Sequence, residues 1–477
     1  PPVDNANAIG EHHRLTSRTC FAINAPTLPV LGRRQVVRQR FLVPPSPGSN
    51  PGAPANLSWP LMALSYDVLR NGNFRCLLAT RIFGIFALQA QAVIVGWQVY
   101  TLTRDPLMLG LVGLAEALPA IAFALFAGHI VDKSRPHRIF QRCLMVHVVL
   151  SAAMLIVAGG FVAVSDSWTL VALFAGVFCS GLVRSFIMPS SFTLLARIVP
   201  RHDIPAASAW LSGGFQCAAI GGPAIAGLIY GGYGKEIAWM LPLACMLLAT
   251  LAISLIAKEH RDFKNHDSRE PALQSIAAGW RFVVQSKVLL PIMTLDMFAV
   301  LFGGAVAILP MFADQVLGTG SEGLGLLRAS PAAGSIVVAL ALALRPMQTI
   351  RATTLLIAVT GFAFAMLGFA LSTSFAAAAF FLALGGAFDS VSMVIRSTLM
   401  QLLIPDTMRG RVSSLNGMFI ISSNEIGAFE SGLAASLLGL VPSLLFNGGM
   451  CLLVVAVVAV ASPQLRRLTV DARKGVG

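Results

Sequence analysis

The chain has 477 residues, of which 56% are hydrophobic and only 12% charged, and its mean hydropathy is +0.77. Soluble domains are about 25% charged, so a water-soluble globule is excluded, as is disorder over most of the length. The net charge of +13 comes from 34 Lys and Arg against 21 Asp and Glu, but the basic residues lie between long apolar runs and not on one stripe, which argues for a polytopic membrane protein and against a nucleic-acid partner.

In chain order, residues 1–61 come first, with a Pro-, Ser- and Gly-rich stretch and no apolar signal core. They are expected to be a disordered tail or an artefactual extension, with Met62 as the native start. A hydrocarbon core of about 30 Å needs about 20 apolar residues as helix. Twelve segments meet this: 77–100, 107–130, 139–164, 170–188, 205–230, 237–257, 288–314, 323–344, 353–371, 375–404, 412–438 and 441–461. The fifth is rich in Gly and Pro and the eleventh carries two glutamates, but omitting either puts its neighbours on the wrong side. Seven cysteines without a CxxC suggest neither a disulfide framework nor a zinc site.

The polar stretch 258–287 divides the array six and six. The expected fold is therefore an all-α membrane protein with 12 transmembrane helices in two six-helix repeats. It comprises an N-terminal bundle (62–257), a cytoplasmic linker (258–287), a C-terminal bundle (288–465) and a cytoplasmic tail (466–477). A repeat is also audible in the sequence: Pro200, Ser208 and Gly222 have counterparts at Pro405, Ser413 and Gly427, each 205 residues on. With the N-terminus inside and sides alternating, 28 Lys and Arg fall inside and two, Arg104 and Lys235, outside. That asymmetry predicts both termini in the cytoplasm.

Between segments two and three stands Gly128-His129-Ile130-Val131-Asp132-Lys133, with Arg138 further on. It resembles the loop signature of the major facilitator superfamily, although Arg135 and Pro136 replace the usual Gly and Arg. Asn73-Phe74-Arg75, the run from Gly323 to Ala329 and Arg409-Gly410-Arg411-Val412 resemble the exporter subgroup that includes the enterobactin exporter and macrolide-efflux-like proteins. Gly222-Pro223-Ala224-Ile225-Ala226-Gly227 is similar to the antiporter motif of segment five, with Ala226 in place of one Gly. The resemblance implies a cytoplasmic gate at Gly128, Asp132, Lys133 and Arg138, and export. The glycines and the proline can equally serve ordinary close helix packing.

Ionisable groups inside a membrane are costly and mark functional candidates. Here they are Arg81, Glu116, Arg184, Asp296, Arg328, Asp389, Arg396, Glu425 and Glu430. Asp296 is a proton-coupling candidate, because burial and a neighbouring Arg act on a carboxyl in opposite senses; it can also be a static ion pair, for example with Arg328. Asp389 and Arg396, seven apart, share a helix face and can line the cavity together or pair with neighbouring helices. Glu425 and Glu430, five apart, point about 140° from each other, and Glu425 follows the polar patch Ser422-Ser423-Asn424. Arg81 and Glu116 can pair. Gln89, with Phe83 and Phe86, and Phe298 with Phe302 offer cavity surface or packing. Trp97 is an interface anchor, and His147 a satisfied core histidine.

There is no GxxxxGK[ST] loop, and nothing calls for a cofactor or a metal. The expected function is secondary active transport by alternating access, exporting a drug-like or siderophore-like small molecule by proton antiport. The expected setting is the inner membrane, as a monomer. The alternatives are a nutrient importer or facilitator of the same superfamily, or a polytopic membrane enzyme or non-transporting sensor; no compact catalytic constellation supports an enzyme.

Overall fold

The computed structural model describes residues 67–200, 203–257, 272–345 and 349–471; the tail 1–61 and the side chains of Gly128, Asp132 and Lys133 lie outside the described residues. A single helical turn, Asp67–Arg70, leads into α1 (Gly72–Thr103). The Asn71 side chain caps α1, accepting from the backbone N–H of Asn73 and Phe74. Asp105 caps α2 (Pro106–Lys133) in the same way through Leu107, with Pro106 in the first turn. α3 (Pro136–Ala158) and α4 (Asp166–Ile198) follow.

α5 (Ile204–Ser254) is a helical run of 51 residues interrupted only at Gly234, φ 85° and ψ 176°. The chain reverses there, since Gly214 on one arm packs against Ile82 and Ala249 on the other accepts from Thr80, both on α1. The fifth and sixth segments, predicted as separate, thus meet at one glycine in a backbone conformation that side chains with a Cβ scarcely reach.

The rest comprises α6 (Ala272–Gln285), α7 (Leu289–Leu301), a short 3₁₀ turn (Gly304–Ile308), α8 (Leu309–Gln315), α9 (Gly320–Leu344), α10 (Ala352–Ala370), α11 (Phe375–Leu403), α12 (Asp406–Leu438), α13 (Leu440–Ala461) and α14 (Pro463–Arg467). β1 (Thr349–Arg351) pairs antiparallel with β2 (Thr469–Asp471). The stretch 258–287, the expected linker, contains α6, which buries Val283 and exposes Trp280 and Val284. The seventh expected segment is one apolar span, 289–315, whose α-helix gives way to the 3₁₀ turn at Gly303 and Gly304, where Gly304 lies so close to the α12 backbone at Gly427 that a Cβ would collide with it.

Ten helices among the described residues are long and apolar enough to cross a membrane, one of them the bent α5. α12, with Glu425, Glu430 and Asn424, is not among them. Val149, Trp168, Val337, Ile357, Leu437 and Val460 are exposed around the outside, which suits contact with lipid and not with water.

One end of the bundle carries Arg75, Arg138, Arg281, Arg411 and Arg466 (the basic end), while the other carries Arg104 and Lys235 (the neutral end). At the neutral end a single buried core draws on both halves of the chain: Val99, Tyr100 and Trp239 pack together with Phe312, Leu324 and Phe369. Towards the basic end the cores separate. Phe74, Phe140 and Met246 form one, and Ile292, Leu355 and Leu399 another.

Two helix pairs make the broadest contacts between the halves, α2 with α12 and α5 with α9. Each joint is a glycine contact: a Cβ on Gly110 would stand 3.0 Å from Gly432 Cα, and one on Gly227 would stand 2.8 Å from Gly325 Cα. The offset of 205 extends to these positions. Gly227 matches Gly432, and Gly234 matches Gly439, whose φ of 90° and ψ of 165° repeat the same conformation between α12 and α13.

Candidate transport site

A cavity of about 1710 Å³ lies between the halves. The joint core closes it at the neutral end, and it runs between the separated cores towards the basic end. Seven ionisable residues singled out from the sequence line it: Arg81, Glu116, Arg184, Asp296, Arg328, Asp389 and Glu425. Gln89 and Asn424 line it too, among mostly apolar neighbours such as Leu88, Val300 and Ile420.

The charges are paired unequally. Arg184 of α4 donates to Glu116 of α2 at 2.6 Å and stands 3.7 Å from Glu425 of α12. One guanidinium therefore faces a carboxylate from each half. Arg328 of α9 donates to the Ala92 carbonyl of α1 at 3.4 Å, another contact across the halves. Arg81 donates to Ser191 at 2.9 Å, so the alternative in which it pairs with Glu116 is not what forms. Asp296 forms its ion pair with Arg396 of α11 and not with Arg328; both partners are buried. Asp389 shares the α11 face with Arg396, yet among the described residues it has no hydrogen bond or ion pair while it lines the cavity. Glu430 points elsewhere, accepting from Asn447 of α13 at 3.1 Å.

The other candidates have packing positions. His147 lies between the Cys143 carbonyl and Ser180 Oγ, each at 3.1 Å. Phe298 and Phe302 stack on each other with ring centroids 6.2 Å apart, and Trp97 packs against Tyr100 at 5.9 Å. Gly222 of the antiporter-like motif sits against α1, where a Cβ would meet Gln89 Cβ at 2.9 Å. Pro223 lies within α5 beside Gly325, and Gly227 makes the joint with α9. Gly128, Asp132 and Lys133 fall in the last turns of α2, and Arg138 is exposed in the first turn of α3.

A cluster that the sequence did not single out lies at the neutral end. The Tyr100 hydroxyl donates to Asp314 Oδ2 at 2.7 Å and accepts from Arg104 at 2.9 Å, and Arg104 also pairs with Asp314. The Arg104 guanidinium lies 4.7 Å from the centre of the Tyr100 ring. The Tyr100 hydroxyl and then the Asp314 carboxylate hold Arg104 above the usual arginine range. The only signal in the sequence was position, since Arg104 is one of two basic residues on the sparsely charged side and Asp314 ends the seventh segment.

A lipid-facing helical bundle, with a charged cavity between halves joined at one end, defines a multi-pass membrane transporter of the major facilitator type. The sequence matches the family described as transmembrane secretion effector over residues 63–474, and the chain belongs to that family. Solved transporters share its fold. A POT family transporter in complex with 5-aminolevulinic acid superposes with a TM-score of 0.68 at 10% identity, over 83% of this chain and 96% of that one. The nucleoside transporter NupG gives 0.63 at 12%, over 81% and 99%. A bacterial homologue of the iron transporter ferroportin, in an inward-facing state, gives 0.62 at 17%, over 84% and 99%. No curated protein matches the chain. Family and fold neighbours alike are transporters, and the protein is a transporter and not an enzyme.

Proposed function

We propose that the protein is a secondary transporter of the inner membrane that exports a drug-like or siderophore-like small molecule by alternating access, driven by proton antiport. The observation that carries this reading is the cavity of about 1710 Å³ with ionisable side chains from both halves. The count of twelve spans follows if α5 crosses twice about Gly234 and the polar α12 crosses once, alongside the other nine apolar helices. The basic end then faces the cytoplasm, both termini with it, and the cavity opens inward. Export is the direction supported by the family's description as a secretion effector and by the antiporter-like Gly222, Pro223 and Gly227. The gate expectation at Gly128, Asp132, Lys133 and Arg138 stands as part of the same proposal.

Among the carboxylates, Asp389 is the proposed coupling group. Asp296 is compensated by Arg396, and Glu116 by Arg184. Asp389 lacks a cation beside it among the described residues, and an unpaired charge in a largely apolar cavity is the one that a proton most relieves. Arg184, shared between Glu116 and Glu425, links the halves at the level of the cargo.

The test is flux of macrolide and catecholate probes into inverted proteoliposomes, with and without a pH gradient. Uptake should rise with the gradient. Asp389→Asn should keep substrate exchange in the absence of a gradient and lose the gradient's stimulation. Flux indifferent to the gradient in the wild type removes proton coupling, and gradient-stimulated flux in Asp389→Asn moves the coupling to another carboxylate.

A further inference from the structure

α12 carries two carboxylates well inside its length, and their surroundings differ. Glu425 lines the cavity and stands 3.7 Å from Arg184. Glu430 has no ion pair among the described residues. It is half-buried and faces α13, away from the cavity. A carboxylate inside a membrane is costly until a positive charge neutralises it.

The groups around Glu430 are polar and neutral. Its Oε2 accepts from Asn447 Nδ2 at 3.1 Å and from Ser431 Oγ at 3.4 Å, and the same Nδ2 lies 3.1 Å from Ser431 Oγ. The three atoms form a nearly equilateral triangle. Ser431 and Asn447 are fully buried, and Asn447 Oδ1 has no hydrogen-bond partner, an arrangement that costs free energy. A half-turn of the carboxamide exchanges its oxygen and its nitrogen with little change of shape. It sets Oδ1 in the triangle beside Glu430 Oε2 and Ser431 Oγ, so that three oxygens face one point. Bare oxygens at that spacing repel, and a cation between them removes the repulsion. The break between α7 and α8 reaches the same place, since a Cβ on Gly304 would stand 2.8 Å from Ser431 Oγ. Interrupted helices offer backbone carbonyls to Na⁺ in other transporter folds.

We propose that Glu430, Ser431 and Asn447 form a Na⁺ site between α12 and α13, outside the cavity. Size and charge select the ion. Two oxygens at right angles on one ion stand apart by the bond length times the square root of two. Bonds to Mg²⁺ of about 2.0–2.1 Å separate them by about 2.9 Å, and bonds to Ca²⁺ of about 2.3–2.6 Å by about 3.3–3.7 Å. Na⁺ is close to Ca²⁺ in size, and the triangle's edges of 3.1–3.4 Å exceed the smaller spacing and reach the larger. K⁺ is too wide for it. One carboxylate balances one positive charge, and among the described residues no three of His, Cys, Asp and Glu gather as a divalent or transition-metal site would require. The ion neutralises Glu430 and ties α12 to α13, and the half-buried carboxylate gives it a way in.

The test is equilibrium binding of radiolabelled Na⁺ to the full chain, purified in detergent, at constant ionic strength with choline as the replacement ion. The wild type should bind one ion per chain saturably, displaced by unlabelled Na⁺ and about ten-fold more weakly by K⁺. Glu430→Gln keeps the shape of the side chain and removes its charge. It should lose about ten-fold or more in affinity, together with the rise in unfolding temperature that Na⁺ gives over choline. Asn447→Asp keeps an oxygen at the same point and adds a second charge, so Ca²⁺ should compete with Na⁺ there and not in the wild type. A merely structural hydrogen bond would not produce that gain. A wild type without saturable binding overturns the site and leaves a proton to neutralise Glu430. Unaltered binding in Glu430→Gln overturns it too, and loss in Asp389→Asn with retention in Glu430→Gln moves the ion to the cavity. If Glu430→Gln does not fold, Asn447→Asp without Ca²⁺ competition overturns the assignment by itself. Flux enters none of these measurements, so the result stands apart from the export proposal.

Discussion

Asp296 and Arg396 are 7% and 5% exposed and face each other between α7 and α11. Removing one partner of such a buried pair leaves a charge without compensation and costs about 3–5 kcal/mol, whereas replacing both with apolar groups of similar size is near neutral. Arg396→Met should therefore lower the thermal unfolding temperature in detergent clearly, and adding Asp296→Leu should recover most of the loss. Equal unfolding temperatures for wild type and Arg396→Met would refute this structural role. The sequence placed both residues in apolar helices, and spacing put Asp389 and Arg396 on one face of α11. It could not choose partners. Periodicity orders residues around their own helix but does not say how that helix is rotated against its neighbour, so Arg328 was as available to Asp296 as Arg396, and Arg81 to Glu116 as Arg184. The Tyr100, Arg104 and Asp314 cluster escaped for a related reason: its residues stand 210 and 214 positions apart, and only the relative height of α1 and α8 brings them together.

At the scale of elements, close packing of α5 decides more than its hydropathy. Gly227 meets α9 so closely that a Cβ would stand 2.8 Å from Gly325 Cα, whereas Gly232, five residues on, has nothing within 4 Å. Overpacking a tight contact costs about 1–3 kcal/mol, while alanine in an open helical position is favoured over glycine by up to about 1 kcal/mol. Gly227→Ala should thus destabilise the closed neutral end and lower the unfolding temperature, and Gly232→Ala should leave it unchanged or raise it slightly. The same loss from both substitutions would mean that helix propensity, not the α5–α9 joint, sets the effect. The Gly-Pro motif around Gly222 was visible in the sequence, but not which helices it meets. α6 was missed because short amphipathic helices flanked by polar residues carry little of the signal that marks a span. The break between α7 and α8 was missed because Gly303 and Gly304 sit inside an otherwise unbroken apolar run, where α12 and not the local sequence dictates the geometry.

Across the whole molecule the legible quantities are those that sum over many residues. The offset of 205, first seen at Pro200 and Pro405, reaches Gly234 and Gly439, where the two chain reversals share one backbone conformation. The charge asymmetry, 28 basic residues against two, likewise depends on no single position. It leads to a prediction about orientation. A fluorescent protein fused after the last residue should fluoresce, and a phosphatase inserted in the turn between α3 and α4, after Gly160, should be active outside the cytoplasm. A silent phosphatase at that turn together with an active one at the C-terminus would reverse the orientation. The consequence is functional, because the halves share a core at the neutral end only and the cavity is open the other way. With the basic end inside, this structure is the state that receives cargo from the cytoplasm, the step with which an exporter's cycle begins. With the basic end outside, the same cavity would receive cargo from outside, and the importer reading would replace export.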